Sequence, residues 1–132
     1  IEDRLDYLQI FKELGVGAIQ LTYNTRNLVG TGCWESTDAG LSDFGREVVD
    51  EMNRVGILVD LSHVGAATSQ DALTHSKTPV AYTHCSPAGL FEPPRNQHAD
   101  QLRLIAANIC FVRLTRSSPL LAPHAITPHP DT

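Results

Sequence analysis

Ile57-Leu58-Val59-Asp60-Leu61-Ser62-His63 and Pro79-Val80-Ala81-Tyr82-Thr83-His84 are two apolar runs that each end in a histidine, and the histidines are 21 residues apart. Each run reads as a strand, and each leads on to a stretch with helical character. Both imidazoles are therefore expected on one rim of one parallel sheet. Side chains alternate along a strand. Ile57, Val59, Leu61 and His63 are expected to share one face, and Val80, Tyr82 and His84 another. For neighbouring strands in register, the two rings start from backbones roughly 5 Å apart, close enough to hold one metal ion. The carboxyl end of parallel strands is also where α/β folds place their chemistry.

Outward from these runs, the pattern repeats. Leu5, Leu8, Phe11 and Leu14 recur at helical spacing over residues 4–14, and Gly15 supplies a stop. Residues 17–23 read as a strand with Ile19, Leu21 and Tyr23 on one face, and a long polar segment, 24–41, follows. Segments of that length in compact domains are usually functional or disordered. Ser42 is the expected N-cap of a helix with the stripe Phe44, Val48, Met52 and Val55, stopped by Gly56. Residues 66–75 form a weaker, alanine-rich helix, 85–98 a loop, 99–107 a helix and 109–114 a fourth strand. The alternation α-β-α-β-α-β-α-β argues for a parallel sheet with crossover helices. Open doubly wound sheets and closed barrels both fit it. No glycine-rich phosphate fingerprint follows a strand, which counts against nucleotide binding.

Composition narrows the function classes. The 132 residues suffice for one domain, with 42% hydrophobic and 19% charged residues in the range of a soluble globular protein. No apolar stretch reaches the ~18 residues that would span a membrane, and no secretory leader is visible, although the chain begins inside a helical pattern. A net charge of -5 argues against nucleic acid as a partner. Cys33, Cys85 and Cys110 form no close-spaced pair, so neither a zinc knuckle nor a disulfide framework is suggested. A soluble chain of bacterial type, cytoplasmic or periplasmic, is expected, with the compartment unassigned.

Longer motifs carry a resemblance. Gly40-Leu41-Ser42-Asp43-Phe44-Gly45-Arg46-Glu47-Val48-Val49 is followed by Met52-Asn53-Arg54-Val55-Gly56 and the run to His63. Thr83-His84-Cys85-Ser86, Pro94-Arg95-Asn96 and Leu21-Thr22-Tyr23-Asn24 complete the set. Over residues 4–107 the chain resembles the renal (membrane) dipeptidase family of zinc peptidases. The resemblance implies an α/β fold, a partial (β/α)8 barrel of the TIM type with about four βα units, in a parent of roughly 250 residues or more. On that reading residues 1–114 are the central part of a metallo-dipeptidase barrel and 115–132 an irregular tail with Pro119, Pro123, Pro128 and Pro130. After Ala107 the motifs fade, and a truncated or frame-shifted gene end is the expected source of the tail.

The family resemblance also implies roles. Two zinc ions sharing a carboxylate would activate a water against a dipeptide. His63 and His84 match the two histidine ligands of the second zinc, so this chain carries at most a partial site. Arg95 matches the arginine that grips the substrate carboxylate, for which a guanidinium fork is suited. Tyr23 stands where mammalian members have a substrate-binding histidine; its phenol can donate to an oxyanion but carries no positive charge. The family's His-x-Asp pair, bridging Glu and later Asp have no counterpart here, Glu2 being in the wrong context, and no residue is assigned as catalytic. Asn24 is read as either a pocket residue or a strand-end turn residue. Asp60 is left unassigned, orienting a neighbour or capping a helix. His75, His98, His124 and His129 are expected to be solvated, Cys85 packed, and Trp34 a packing residue rather than a pocket wall. The expected partner is a dipeptide, and a homodimer of the parent is left open. Rival readings are a related barrel hydrolase acting on another amide or lactam, and a non-catalytic scaffold.

Overall fold

The computed structural model describes residues 1–85 and 111–114. The expected loop 85–98 beyond its first residue, the helix 99–107, the start of the fourth strand and the tail 115–132 lie outside the described residues, as do Arg95, His98, His124 and His129.

Among the described residues four strands, β1 (Ala18–Gln20), β2 (Leu58–Asp60), β3 (Val80–Cys85) and β4 (Phe111–Leu114), pair in the order β1-β2-β3-β4. Every pairing is parallel, with Ile19 opposite Val59, Val59 opposite Val80, and Ala81 opposite Phe111. Sequential order settles the choice between the two architectures. A doubly wound sheet reverses its strand order at a switch point, whereas this sheet advances in one direction like an arc of a (β/α) barrel. Helices α1 (Asp6–Glu13), α2 (Asp43–Val55) and α3 (Ala66–His75) follow the same progression, α1 touching α2 and α2 touching α3.

The helix ends obey their local chemistry. Ser42 caps α2, its Oγ accepting from the Gly45 N–H at 2.9 Å. Gly56 closes α2 at φ 75°, a conformation that costs glycine nothing. Val48, Val49 and Met52 from α2 bury against Leu8 of α1, Leu73 of α3 and the strand residues Val59, Val80 and Tyr82. Each such side chain removed from water contributes about 1.5–3 kcal/mol. The α1 stripe is weaker than its spacing suggested: Leu8 is buried, Phe11 half-buried, and Leu14 75% exposed.

Two strands stop earlier than their apolar runs. β1 ends at Gln20 and β2 at Asp60, because the chain beyond each turns into the rim. The segment 24–41, long enough to have been read as functional or disordered, is pinned in place. Asn27 Oδ1 accepts from Val29 and Gly30, Gly32 bridges Val64, and residues 29–33 are buried. Asp38 reaches from this segment to the start of α3, where its carboxylate accepts from Ala67 N at 2.7 Å, Thr68 N at 3.3 Å and Thr68 Oγ1 at 2.9 Å. It serves as the cap that Gly65, the residue at the N-cap position, lacks a side chain to provide.

His75 corrects an expectation. It is not simply solvated: its Nε2 lies 3.1 Å from Asp50 Oδ2, while Lys77 Nζ donates to Asp50 Oδ1 at 2.9 Å. The Lys77 hydrogen bond, then the His75 one, hold the Asp50 carboxyl below the usual carboxylate range against partial desolvation. A carboxyl depressed in the folded state stabilises above its unfolded pKa, about 3.9, and loses that contribution as pH falls through the lower folded value.

Replacing Asp38→Ala is expected to cost about 2 kcal/mol in urea denaturation, the upper end for a lost helix cap. Lys77→Ala is expected to lower Tm slightly at pH 7. That difference should shrink in melts as the pH falls below the unfolded carboxylate range and through the lower folded value, and shrink with added salt.

Candidate metal centre

Asp60 is the last residue of β2 and only 5% exposed. Its carboxylate accepts four hydrogen bonds. Oδ1 takes Ser62 N at 2.9 Å, Ser62 Oγ at 2.7 Å and Thr83 N at 3.2 Å, and Oδ2 takes Thr83 Oγ1 at 2.6 Å. The first two form an Asx-type turn that ends the strand. The other two cross to β3. Ser62 Oγ in turn accepts from His84 N at 3.1 Å. One buried carboxylate thus fixes both the turn that carries His63 and the strand that carries His84.

His63 does not reach the rim by strand alternation. It lies three residues past β2 at φ 63°, a left-handed conformation that is uncommon for residues other than glycine. The surroundings hold it there: its carbonyl accepts from Cys33 N at 3.0 Å and from Thr22 Oγ1 at 3.4 Å. The shared face expected for Ile57, Val59, Leu61 and His63 therefore ends before the histidine. Strain of this kind clusters at functional sites.

The two imidazoles nevertheless converge. His63 Nε2 and His84 Nε2 are 2.8 Å apart, with ring centroids at 4.9 Å and planes at 57°. Each ring is held from its far side. His63 Nδ1 is 2.7 Å from Asn24 Oδ1, and His84 Nδ1 is 3.0 Å from Thr83 Oγ1. Tyr23 stacks on His63 with centroids 4.5 Å apart and planes at 24°, while staying 64% exposed. Tyr23 is thus turned outward and leaves the strand face it was expected to share with Ile19 and Leu21.

Asn24 owes its place to Gly32. A Cβ on Gly32 would sit 2.3 Å from the Asn24 carbonyl carbon and 2.5 Å from the Tyr23 carbonyl oxygen. The Trp34 N–H also donates to the Asn24 carbonyl at 2.9 Å. Trp34 itself is 61% exposed, so its packing role is not seen, and its backbone is what supports the site.

Two imidazoles whose Nδ1 atoms are engaged and whose Nε2 atoms face one another fit a borderline metal such as zinc. Nitrogens on one tetrahedral zinc, each at about 2.0–2.1 Å, stand roughly 3.3 Å apart, slightly wider than the 2.8 Å seen here. Among the described residues no group of three histidine, cysteine, aspartate or glutamate side chains forms. The pair by itself would supply only part of a coordination shell. Arg95, the fourth residue singled out from the sequence, is outside the described residues. Sequence reading missed the roles of Asp60, Ser62 and Thr83. The local signal was the Asp-x-Ser spacing, which is a turn signature; the reach to Thr83 crosses between strands and leaves none.

A parallel α/β arc with paired histidines at its carboxyl rim is the layout of a barrel metallohydrolase. The chain belongs to the membrane dipeptidase family (peptidase family M19), whose profile matches residues 1–127. That span is longer than the 4–107 read from motifs. Dipeptidase verJ of Clonostachys rogersoniana is 42% identical over 107 residues, which cover 76% of this chain and 28% of that protein. Among solved structures, an amidohydrolase from Pseudomonas aeruginosa superposes with a TM-score of 0.83 at 57% identity, covering 86% of this chain and 34% of the other. A metallo peptidase from Rhodobacter sphaeroides, liganded with a phosphinate mimic of the dipeptide L-Ala-D-Ala, gives 0.77 at 28% identity, covering 83% and 33%. The chain spans about a third or less of the length of these relatives.

Gly32→Ala should force the Asn24 segment away from His63. The expected cost, typical of overpacking against backbone, is about 1–3 kcal/mol in urea denaturation, with the largest amide NMR shifts at residues 23–24 and 63.

Proposed function

We propose that the protein carrying this chain is a zinc-dependent dipeptidase in which His63 and His84 hold one ion of a two-zinc site. The observation that carries this reading is the Nε2–Nε2 approach of 2.8 Å between rings anchored through their Nδ1 atoms. The remaining ligands come from outside these residues. The relative from Rhodobacter sphaeroides supports the substrate class, because its ligand is a mimic of a dipeptide and a phosphinate is tetrahedral and anionic, like a peptide carbonyl under attack by water.

When bound, zinc supplies Lewis acidity and an activated water at neutral pH. The chain's own residues do the rest. Asn24 and Thr83 hold the ligand rings in position from behind. Tyr23, stacked on His63 and open to solvent, presents a phenol that donates a hydrogen bond to substrate or to a developing oxyanion. Arg95 offers a fork for the C-terminal carboxylate and so restricts substrates to short peptides. By itself the 132-residue chain, whose described residues form no three-donor metal group, is expected to turn over little or no dipeptide.

A second reading is hydrolysis of another amide by the same residues, supported by the amidohydrolase at 57% identity. A panel of dipeptides, N-acyl amino acids and lactams separates the two.

The test is dipeptide cleavage by the longer protein, with and without chelator. Activity lost to chelator and restored by zinc is expected; chelator-insensitive cleavage would overturn the reading. His63→Ala or His84→Ala should lower kcat by about 10²-fold or more while leaving the fold intact. Tyr23→Phe should lower kcat/KM by about tenfold, the scale of one lost hydrogen bond to the reacting group.

A further inference from the structure

The backbone that carries His63 is gripped at two points. Cys33 N donates to the His63 carbonyl at 3.0 Å, and Gly65 N donates to the Thr31 carbonyl at 2.9 Å. Between these bonds Gly32 pairs antiparallel with Val64. The result is a short two-rung clamp, residues 31–33 against 63–65, that ties the segment after β1 to the turn after β2. One rung fixes the peptide that follows His63, and the other fixes the peptide after that. A left-handed residue moves toward the broader allowed regions once its neighbouring peptides are free to rotate. The clamp is therefore what keeps His63 at φ 63°.

The clamp has an anchor away from the rim. Thr68 lies in the first turn of α3 and is fully buried. Its Oγ1 accepts from Thr31 N at 3.1 Å and gives its one proton to Asp38 Oδ1 at 2.9 Å. The same Asp38 oxygen accepts from Gly40 N at 3.0 Å, so the acceptor of the threonine proton is itself held in place. Thr31 is thus held by α3 through its N–H while it holds Gly65 through its carbonyl. The fit is close: a Cβ on Gly65 would lie 2.3 Å from Asp38 Oδ2 and 3.0 Å from the Thr31 carbonyl oxygen.

We infer that Thr68 is a positioning residue for His63. Its hydroxyl sets the place of Thr31, the clamp passes that placement to the backbone at 63–65, and the His63 ring is thereby brought to face His84. Asp60 and Asn24 act at the strand end and at the ring; Thr68 acts on the peptide geometry of the ligand residue from a helix. Only a hydroxyl both accepts from a backbone N–H and donates to a carboxylate at this point. The use to which the ring is put rests on the metal-binding reading above, whereas the placement of the backbone does not.

Valine has nearly the shape of threonine, and it keeps a methyl where Thr68 Cγ2 approaches Gly30. Thr68→Val therefore removes the hydroxyl alone, and Thr68→Ser removes the methyl alone. The first measurement is NMR of the metal-free full chain. In Thr68→Val the His63 Cα shift, which follows φ, is expected to move, and hydrogen exchange at the Cys33 and Gly65 amides should speed up about tenfold or more relative to the amides of α2. Thr68→Ser should restore both. The second measurement is a titration with Zn2+ alone, followed on the ring signals of His63 and His84. Affinity should fall about tenfold or more in Thr68→Val and stay within about twofold of wild type in Thr68→Ser. Val49→Ala, a core truncation on α2, should lower stability while leaving the His63 shift and the zinc affinity unchanged, which separates positioning from general loosening.

An unchanged His63 shift with unchanged Cys33 and Gly65 exchange in Thr68→Val, or no recovery in Thr68→Ser, would overturn the inference. If Thr68→Val does not fold by its amide fingerprint, Thr68→Ala decides. The space it leaves admits water to Thr31 N without fixing Thr31, so the same changes are expected, and wild-type values would overturn the inference. Metal-free chains that behave as stated while wild type takes up no zinc would support the positioning role and sink the metal reading instead.

Discussion

A single buried carboxylate governs the working end of this sheet. Parallel strands are joined by evenly spaced, slanted hydrogen bonds, and that ladder stops where β2 ends at Asp60. Beyond that point, nothing in the regular pairing keeps the departing chain close to β3. Asp60 extends the connection with side-chain oxygens, binding Ser62 on its own strand end and Thr83 across the gap. Burying a carboxylate is costly unless every lone pair is occupied, and here four donors converge on it. The result is a rigid junction, and the spacing of two imidazoles above it is inherited from that rigidity.

The segment between β1 and α2 is the second support, and it works from the outside. Gly32 lets its backbone lie against Asn24, Cys33 N holds the His63 carbonyl, and Asp38 fastens the far end of the segment to α3. The site is thus braced from two directions: Asp60 from beneath and this segment from the side. Neither brace is apolar. Hydrophobic packing of α1, α2 and α3 against the sheet sets the platform, and directional polar contacts set the angles of the rings above it.

Periodicity and capping chemistry made the platform readable from the sequence. Ser42 and Gly56 mark the ends of α2 because cap geometry is local. The apolar runs around Val59 and Val80 give parallel strands because burial on both faces favours such runs. The pairing of His63 with His84 was also readable, but its stated cause, strand alternation, was not the operative one. A turn at positive φ carries His63 to the rim, and turns of that kind depend on partners distant in sequence such as Cys33 and Thr22. For the same reason Asp60 was left without a role, Asn24 was read two ways, and His75 was expected in solvent although Asp50 lies beside it. Contacts across more than one element carry no local pattern to read.

The left-handed backbone at His63 has an evolutionary corollary. Histidine, asparagine and aspartate tolerate that region several-fold better than other side chains, and β-branched residues resist it strongly. The admissible vocabulary at this position therefore overlaps the set of metal donors. Drift from histidine to aspartate would exchange one donor chemistry for another with little backbone penalty, whereas drift to valine or isoleucine would distort the turn before any chemistry was lost. The peptide geometry at residue 63 thus favours side chains that carry donor atoms, independently of what those atoms bind.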